Sequence, residues 1–165
     1  MKFISVLIAV IFSATCIASA APSSQDTAFV KKAQADLLGQ YAIASLGARK
    51  AHDPALKALA AHIATETSKG TRYLKHYAAV HHLDLAVKPA FREDAQYAQL
   101  SGLSGKTFDV HLARALNIDA QFQGDDFTSE VSDGSDAALK AFARHQAALL
   151  DHVSTVAQHY DGVAD

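Results

Sequence analysis

Glu66, Asp119, His62 and His152 are the residues best suited, by type and spacing, to do chemistry in this chain. Glu66 and Asp119 fall near the middle of two long helical stretches, each on an otherwise apolar stripe. Gln40 and Gln146 hold the matching places in two further stretches. Measured from the tight turns, the two residues of each hairpin are roughly level, at a rise of about 1.5 Å per residue. A carboxylate buried at mid-height is costly unless it is paired or bound to a cation. Two carboxylates at one level could hold a hard divalent metal. His62, one turn before Glu66, would be a nitrogen donor, and His152, one to two turns after Gln146, a second.

Other features weigh against a full metal centre. Two of the four interior polar positions are amides. Di-metal bundles take about four carboxylates and two histidines from Glu-x-x-His pairs. This chain has three glutamates, Glu66, Glu93 and Glu130, and no such pair. Lys69, one turn after Glu66, offers it a plain ion pair. His145, His152 and His159 repeat every seven residues, about 10.5 Å apart along a helix, too far for neighbours to share one ion. They suit a surface stripe. There is no Gly-x-Ser-x-Gly elbow, no Gly-rich phosphate loop and no His-Glu-x-x-His. The residues therefore name no catalytic group and no organic cofactor. An enzyme is the less favoured reading, and a divalent metal is the one cofactor they leave open.

The elements that would position these residues are helices. Apolar side chains recur at three- and four-residue steps in four stretches. Phe29, Ala33, Leu37, Tyr41, Ala44 and Ala48 mark a first helix over 25–51. Leu56, Leu59, Ile63, Thr67, Gly70, Leu74, Tyr77 and His81 mark a second over 54–82. Phe108, Leu112, Ala115, Asp119, Phe122 and Asp126 mark a third over 106–131. Leu139, Phe142, Gln146, Leu149, Val153, Val156 and Tyr160 mark a fourth over 137–160. Asp53-Pro54 reads as a cap followed by a first-turn proline. Asp133-Gly134-Ser135-Asp136 reads as a stop followed by a cap, and Ser104 as the cap of the third helix. Residues 83–104 form a connection with a short helix over 90–100. It is long enough to return along a bundle about 40 Å tall and so make the second and third helices parallel.

Composition agrees. Half of the residues are apolar, tryptophan is absent and glycine is sparse. Ala-rich sequence of this kind suits closely packed helices and not a β-sandwich. The formal net charge of −2 and the lack of a basic run exclude a nucleic-acid role.

Residues 1–20 read as an export signal. Lys2 opens it, an apolar run follows over 3–12, and Ala18-Ser19-Ala20 forms a small-x-small cleavage site. Cys16 offers the competing reading of a lipidated cysteine. Cleavage after Ala20 removes that cysteine, the only one in the chain. It would leave residues 21–165 as a single domain, with its core over 25–160, in the periplasm or otherwise exported. No later stretch is apolar enough to cross a bilayer. Partners and oligomeric state are not specified.

The chain resembles an exported bacterial family, domain of unknown function 4142. Asp26-Thr27-Ala28-Phe29-Val30 carries the match in the first helix, and residues 53–60, Asp-Pro-Ala-Leu-Lys-Ala-Leu-Ala, in the second. Residues 103–109, Leu-Ser-Gly-Lys-Thr-Phe-Asp, carry it into the third helix. Leu139-Lys140-Ala141-Phe142-Ala143 and His152 carry it in the fourth. The resemblance implies an all-α, ferritin-like four-helix bundle with a long crossover between its second and third helices. It also implies Glu at the position of Gln40, and Asp-His at both Glu66-Thr67 and Asp119-Ala120. If those positions form a metal site in the family, this chain has lost one carboxylate and two imidazoles from it. The expectation that follows is a non-enzymatic structural, stress-related or interaction role. The alternative is a metal-binding or metal-dependent redox bundle with a degenerate site.

Overall fold

A computed structural model describes residues 21–161, and within them five helices and no strand: α1 (Ser24–Lys50), α2 (Pro54–His81), α3 (Phe91–Ser101), α4 (Gly105–Asp133) and α5 (Ala137–Asp161). The proposed export signal at 1–20 lies outside the described residues.

The helix ends follow from local chemistry. Ser23 and Asp26 form a capping box at α1: the Ser23 Oγ accepts from the Asp26 N–H (3.0 Å), and Asp26 accepts from the Ser23 N–H (2.8 Å). Asp53 caps α2 through the Leu56 N–H at 2.9 Å, with Pro54 in the first turn, where no N–H is needed. Asp136 accepts from the N–H groups of Ala138 (2.8 Å) and Leu139 (2.9 Å) to start α5. Ser104 occupies the cap position of α4, but its side chain makes no capping bond. Asp109, just past the first turn of α4, turns back instead. It accepts from the N–H groups of His52 (2.9 Å) and Asp53 (2.8 Å), tying α4 to the α1–α2 turn.

Such ties set the topology. α1 and α2 form one antiparallel hairpin, and α4 and α5 another. α1 lies against α4, and α2 against α5. The start of α4 meets the α1–α2 turn, and the start of α1 meets the α4–α5 turn through Asp26 and Ser135. α2 and α4 therefore run parallel, as the long crossover required. Within that crossover α3 packs on α1 and α4.

Between the hairpins the core holds Val30, Leu37, Ile43, Leu56, Ile63, Leu74, Phe108, Leu112, Leu116, Leu139 and Val153, each 1% exposed or less. Phe127 packs edge-on against Phe29 (5.3 Å between centroids) and Phe142 (6.0 Å), and Tyr73 stacks on Phe142 at 4.6 Å. This aromatic chain crosses all four long helices at one level.

Two stripes run differently from expectation. Tyr41 and Phe122 are 46% and 59% exposed. After Asp119 the buried positions on α4 include Gln123 and Phe127, each one residue beyond the expected Phe122 and Asp126. A repeat of 3.6 residues allows either step, and contact with α1 on one side and α5 on the other selects the later one.

Candidate functional site

The interior of the bundle is more polar than its stripes suggest. Gln34, Gln40, Thr67, Asp119, Gln123 and Gln146 are all buried at mid-height or just below. The Thr67 hydroxyl donates to the Gln40 Oε1 at 3.0 Å, joining α1 to α2. Among the described residues, neither amide atom of Gln34 or Gln123 finds a hydrogen-bond partner.

Asp119 is fully buried and faces α3. Arg92 reaches it from α3, with Nε 3.3 Å from Oδ1, and its guanidinium also bonds the buried Glu93 carboxylate. With its amide turned nitrogen-inward, Gln96 donates to both Asp119 oxygens, at 2.9 and 3.2 Å. Burial, then the Glu93 charge, push the Asp119 carboxyl up to about 7, against the pull of Arg92. One Glu93 oxygen, Oε2, has no partner among the described residues. The Arg92 guanidinium lies 4.6 Å from the centroid of the Phe122 ring, so a cation–π contact covers its outer face. Below this cluster Lys32 bridges Asp36 on its own helix (3.0 Å) and Asp126 on α4.

Glu66 is in a different setting. It is partly exposed and bonds Lys69 at 2.7 Å; its other oxygen lies 3.6 Å from the His145 Nε2 on α5. These two partners and the nearby His62 hold its carboxyl below the usual range, the Lys69 hydrogen bond foremost and against a desolvation cost. His62 is exposed on α2, as is His152 on α5. Among the described residues, no group of three or more His, Cys, Asp or Glu side chains is gathered closely enough to hold a metal ion.

A second buried acidic site lies at the base of the bundle. Asp26 and Glu130 are both 0% exposed. Asp26 accepts from the Ser23 N–H and Oγ, from the Ser135 N–H (2.9 Å) and Oγ, and from the Asp136 N–H (3.3 Å). Burial alone would raise its pKa; these donors hold it well below the carboxylate range.

Sequence reasoning passed over Asp26, Glu93 and Glu130 as sites. Glu93 sits in a segment read as connection, so nothing marked it as interior. Asp26 entered only among the residues that carry the family resemblance. Glu130 does lie at helical steps from Gln123 and Phe127, a signal that the misplaced α4 stripe concealed.

A cavity of about 710 Å³ opens at the other end of the bundle, lined by His52, Lys106, Val110, His159 and Tyr160. The two acids beside it are already used: Asp109 on the α1–α2 turn, Asp53 on the Leu56 N–H and the Tyr160 hydroxyl (2.9 Å).

The fold and this interior define an all-α, ferritin-like four-helix bundle. Two solved structures share it. A DUF305 fragment from Deinococcus radiodurans superposes with a TM-score of 0.75 at 13% identity, covering 86% of this chain and 97% of its own. A DUF305 protein from Streptomyces coelicolor, named a candidate secreted protein, gives 0.72 at 14% identity, covering 82% and 88%. No curated protein matches. The family described as domain of unknown function DUF4142 matches residues 13–160, and the chain belongs to it. No helix among the described residues is long and apolar enough to cross a membrane.

Proposed function

We propose that this protein is an exported helical bundle with a structural, stress-related or interaction role and no catalytic activity, working in the periplasm or an equivalent compartment. The observation that carries this reading is how Asp119, the buried mid-height acid, is used. Arg92 occupies Asp119, and Thr67 occupies Gln40. A catalytic or metal centre needs donors free to take substrate or ion; here a guanidinium already supplies positive charge to the buried acid. Phe91 and Phe122, exposed near Arg92, suit contact with a partner more than an enclosed active site.

A second reading, a divalent-metal site, attaches to Glu66 and His62, with Asp119 and His152 as the further candidate ligands. The approach of His145 to Glu66 favours it, since it adds an imidazole from a second helix.

Elemental analysis of the mature protein, purified from its exported fraction, separates the two. The first reading expects no stoichiometric metal. A stoichiometric metal lost on Glu66→Ala would replace it with the second. Intact mass of the same sample checks that the mature chain starts at Ala21.

A further inference from the structure

We infer that Asp26 and Glu130 form a proton-linked clasp: it closes the base of the bundle while Glu130 carries a proton and loosens when both carboxyls are ionised.

The geometry assigns the proton. Asp26 and Glu130 come from different helices, α1 and α4, and both are fully buried. Their surroundings are opposite. Asp26 takes five donors: the N–H and hydroxyl of Ser23, the N–H and hydroxyl of Ser135, and the N–H of Asp136. That is the environment of a stable carboxylate. Among the described residues, neither oxygen of Glu130 has a donor. An ionised carboxyl buried without donors, beside a second negative charge, is far costlier than a neutral one. Glu130 therefore holds the proton, and as a neutral acid it becomes a donor to Asp26.

Charged and titratable groups from every neighbouring element surround Glu130, and acids outnumber cations among them. α1 contributes Asp26. α2 contributes Tyr77, whose hydroxyl lies 3.3 Å from Asp136. The α4–α5 turn contributes Asp136, a further negative charge. Among the described residues, the cation acting on Glu130 is Lys140 on α5, which is engaged with the Ser132 carbonyl at 3.3 Å. Burial first, then Asp26 and Asp136, push Glu130 up to about 7, with Lys140 the only group pulling the other way.

The clasp joins three chain segments. Asp26 belongs to the capping box of α1, Ser135 and Asp136 form the α4–α5 turn, and Glu130 lies in the last turn of α4. Gly134 allows the turn to close over Glu130: a Cβ there would overlap the Glu130 carbonyl oxygen and carboxyl. Loss of the proton sets two like charges against each other at the point that holds these segments together. The opening would be local, because Ile43, Leu56, Ile63, Leu112 and Leu116 hold the rest of the bundle.

Amide hydrogen exchange of the full mature chain tests this, read at Ser23, Asp26, Ser135 and Asp136 and corrected for intrinsic rates. An acid displaced from an ordinary 4.5 to about 7 predicts local opening about 30-fold more frequent at pH 8.5 than at pH 5.5. Glu130→Gln, neutral at every pH, should abolish that dependence. Core amides such as those of Ile63 and Leu74 should stay far better protected than the four base amides at both pH values. Three results would each overturn the clasp: a flat profile at the four amides in the unaltered protein, an unchanged slope in Glu130→Gln, or opening at the four amides no more frequent than at Ile63 and Leu74. If the Gln variant fails to fold, the side-chain carboxyl ¹³C titration of Glu130 in the unaltered chain decides: a midpoint above 6 supports the clasp, and one near 4.5 refutes it.

Discussion

Gly39 on α1 and Glu93 on α3 meet with no space between them: a Cβ at position 39 would overlap the Cβ and Cγ of Glu93. The glycine is required by the approach of a second helix and not by its own backbone, which is ordinary α-helix. Leu100 is the only fully buried apolar residue of α3, near its C-terminal end. The N-terminal half is therefore held by Glu93, by Arg92 and Gln96 on Asp119, and by the Ala90 N–H on the Ala35 carbonyl (3.3 Å).

Gly39→Ala should displace that half of α3. The backbone would gain helix propensity, worth about 1 kcal/mol. The overlap is with the rigid base of a buried side chain, and overpacking of that kind costs about 1–3 kcal/mol. The expected result is a lower urea midpoint with faster amide exchange confined to α3 and its approach. An unchanged midpoint together with unchanged exchange would show that Glu93 does not seat against Gly39.

Stability should peak in mildly acidic solution. Asp119 and Glu130 are both raised to about 7, so the folded chain holds protons that the unfolded chain releases. Their contribution is fully present near pH 4 and falls as pH rises through 7. Asp26 is lowered, so its contribution is present above about pH 4 and is lost in stronger acid. The two limbs place the maximum between about pH 4 and 6. From pH 5 to 8, Asp119 alone should cost on the order of 2 kcal/mol, or several degrees in Tm for a chain of this size. Thermal unfolding across pH 3–9 measures both limbs, and Asp119→Asn should make the alkaline limb shallower. A Tm that climbs steadily from pH 5 to 8 would contradict the assignment.

Asp26→Ala should be the most damaging single change at the base of the bundle. It removes the capping box and strands the Ser135 N–H. A lost cap costs about 1 kcal/mol and a lost charge-assisted bond about 1.5–3 kcal/mol, so a total of about 3 kcal/mol is expected. Part of this should return in Asp26→Ala/Glu130→Gln, since no unpaired carboxyl is then left buried. Urea titrations of the two single variants and the double variant give the coupling; additive losses would mean that the two acids do not interact.

Much of the architecture could be read from residue order because its signals are local. Asp53-Pro54, Gly134 and the four apolar stripes each act within one helix or one turn, and the helix ends came within two residues of their expected places. The interior acids could not be read in this way. Glu93 is buried only because a separate helix presses on Gly39, a relation 54 residues apart in sequence that no stripe encodes. Lys69 beside Glu66 was visible from spacing alone; Arg92 beside Asp119 was not, since it depends on where the crossover lands. Exposed Phe122 and buried Phe127 mark the same boundary. The choice between them is made by neighbouring helices, after the local pattern has been satisfied.

The Gln40–Thr67 bond offers the cleanest test of what the polar interior contributes. Thr67→Val keeps shape but removes the donor to the Gln40 Oε1, leaving a fully buried amide without a partner on either atom. A cost of about 1–3 kcal/mol follows from stranding such a group. Gln40→Leu leaves the Thr67 hydroxyl able to turn to its own helix carbonyls, a milder loss. The double change, Gln40→Leu/Thr67→Val, replaces both partners with carbon and should cost less than Thr67→Val alone, or even stabilise the fold. Urea unfolding of the four proteins closes the cycle, with a coupling energy of about 1 kcal/mol expected. If the double variant is instead the least stable of the four, the pair contributes more than its hydrogen bond, and Gln40 has a further partner in solution.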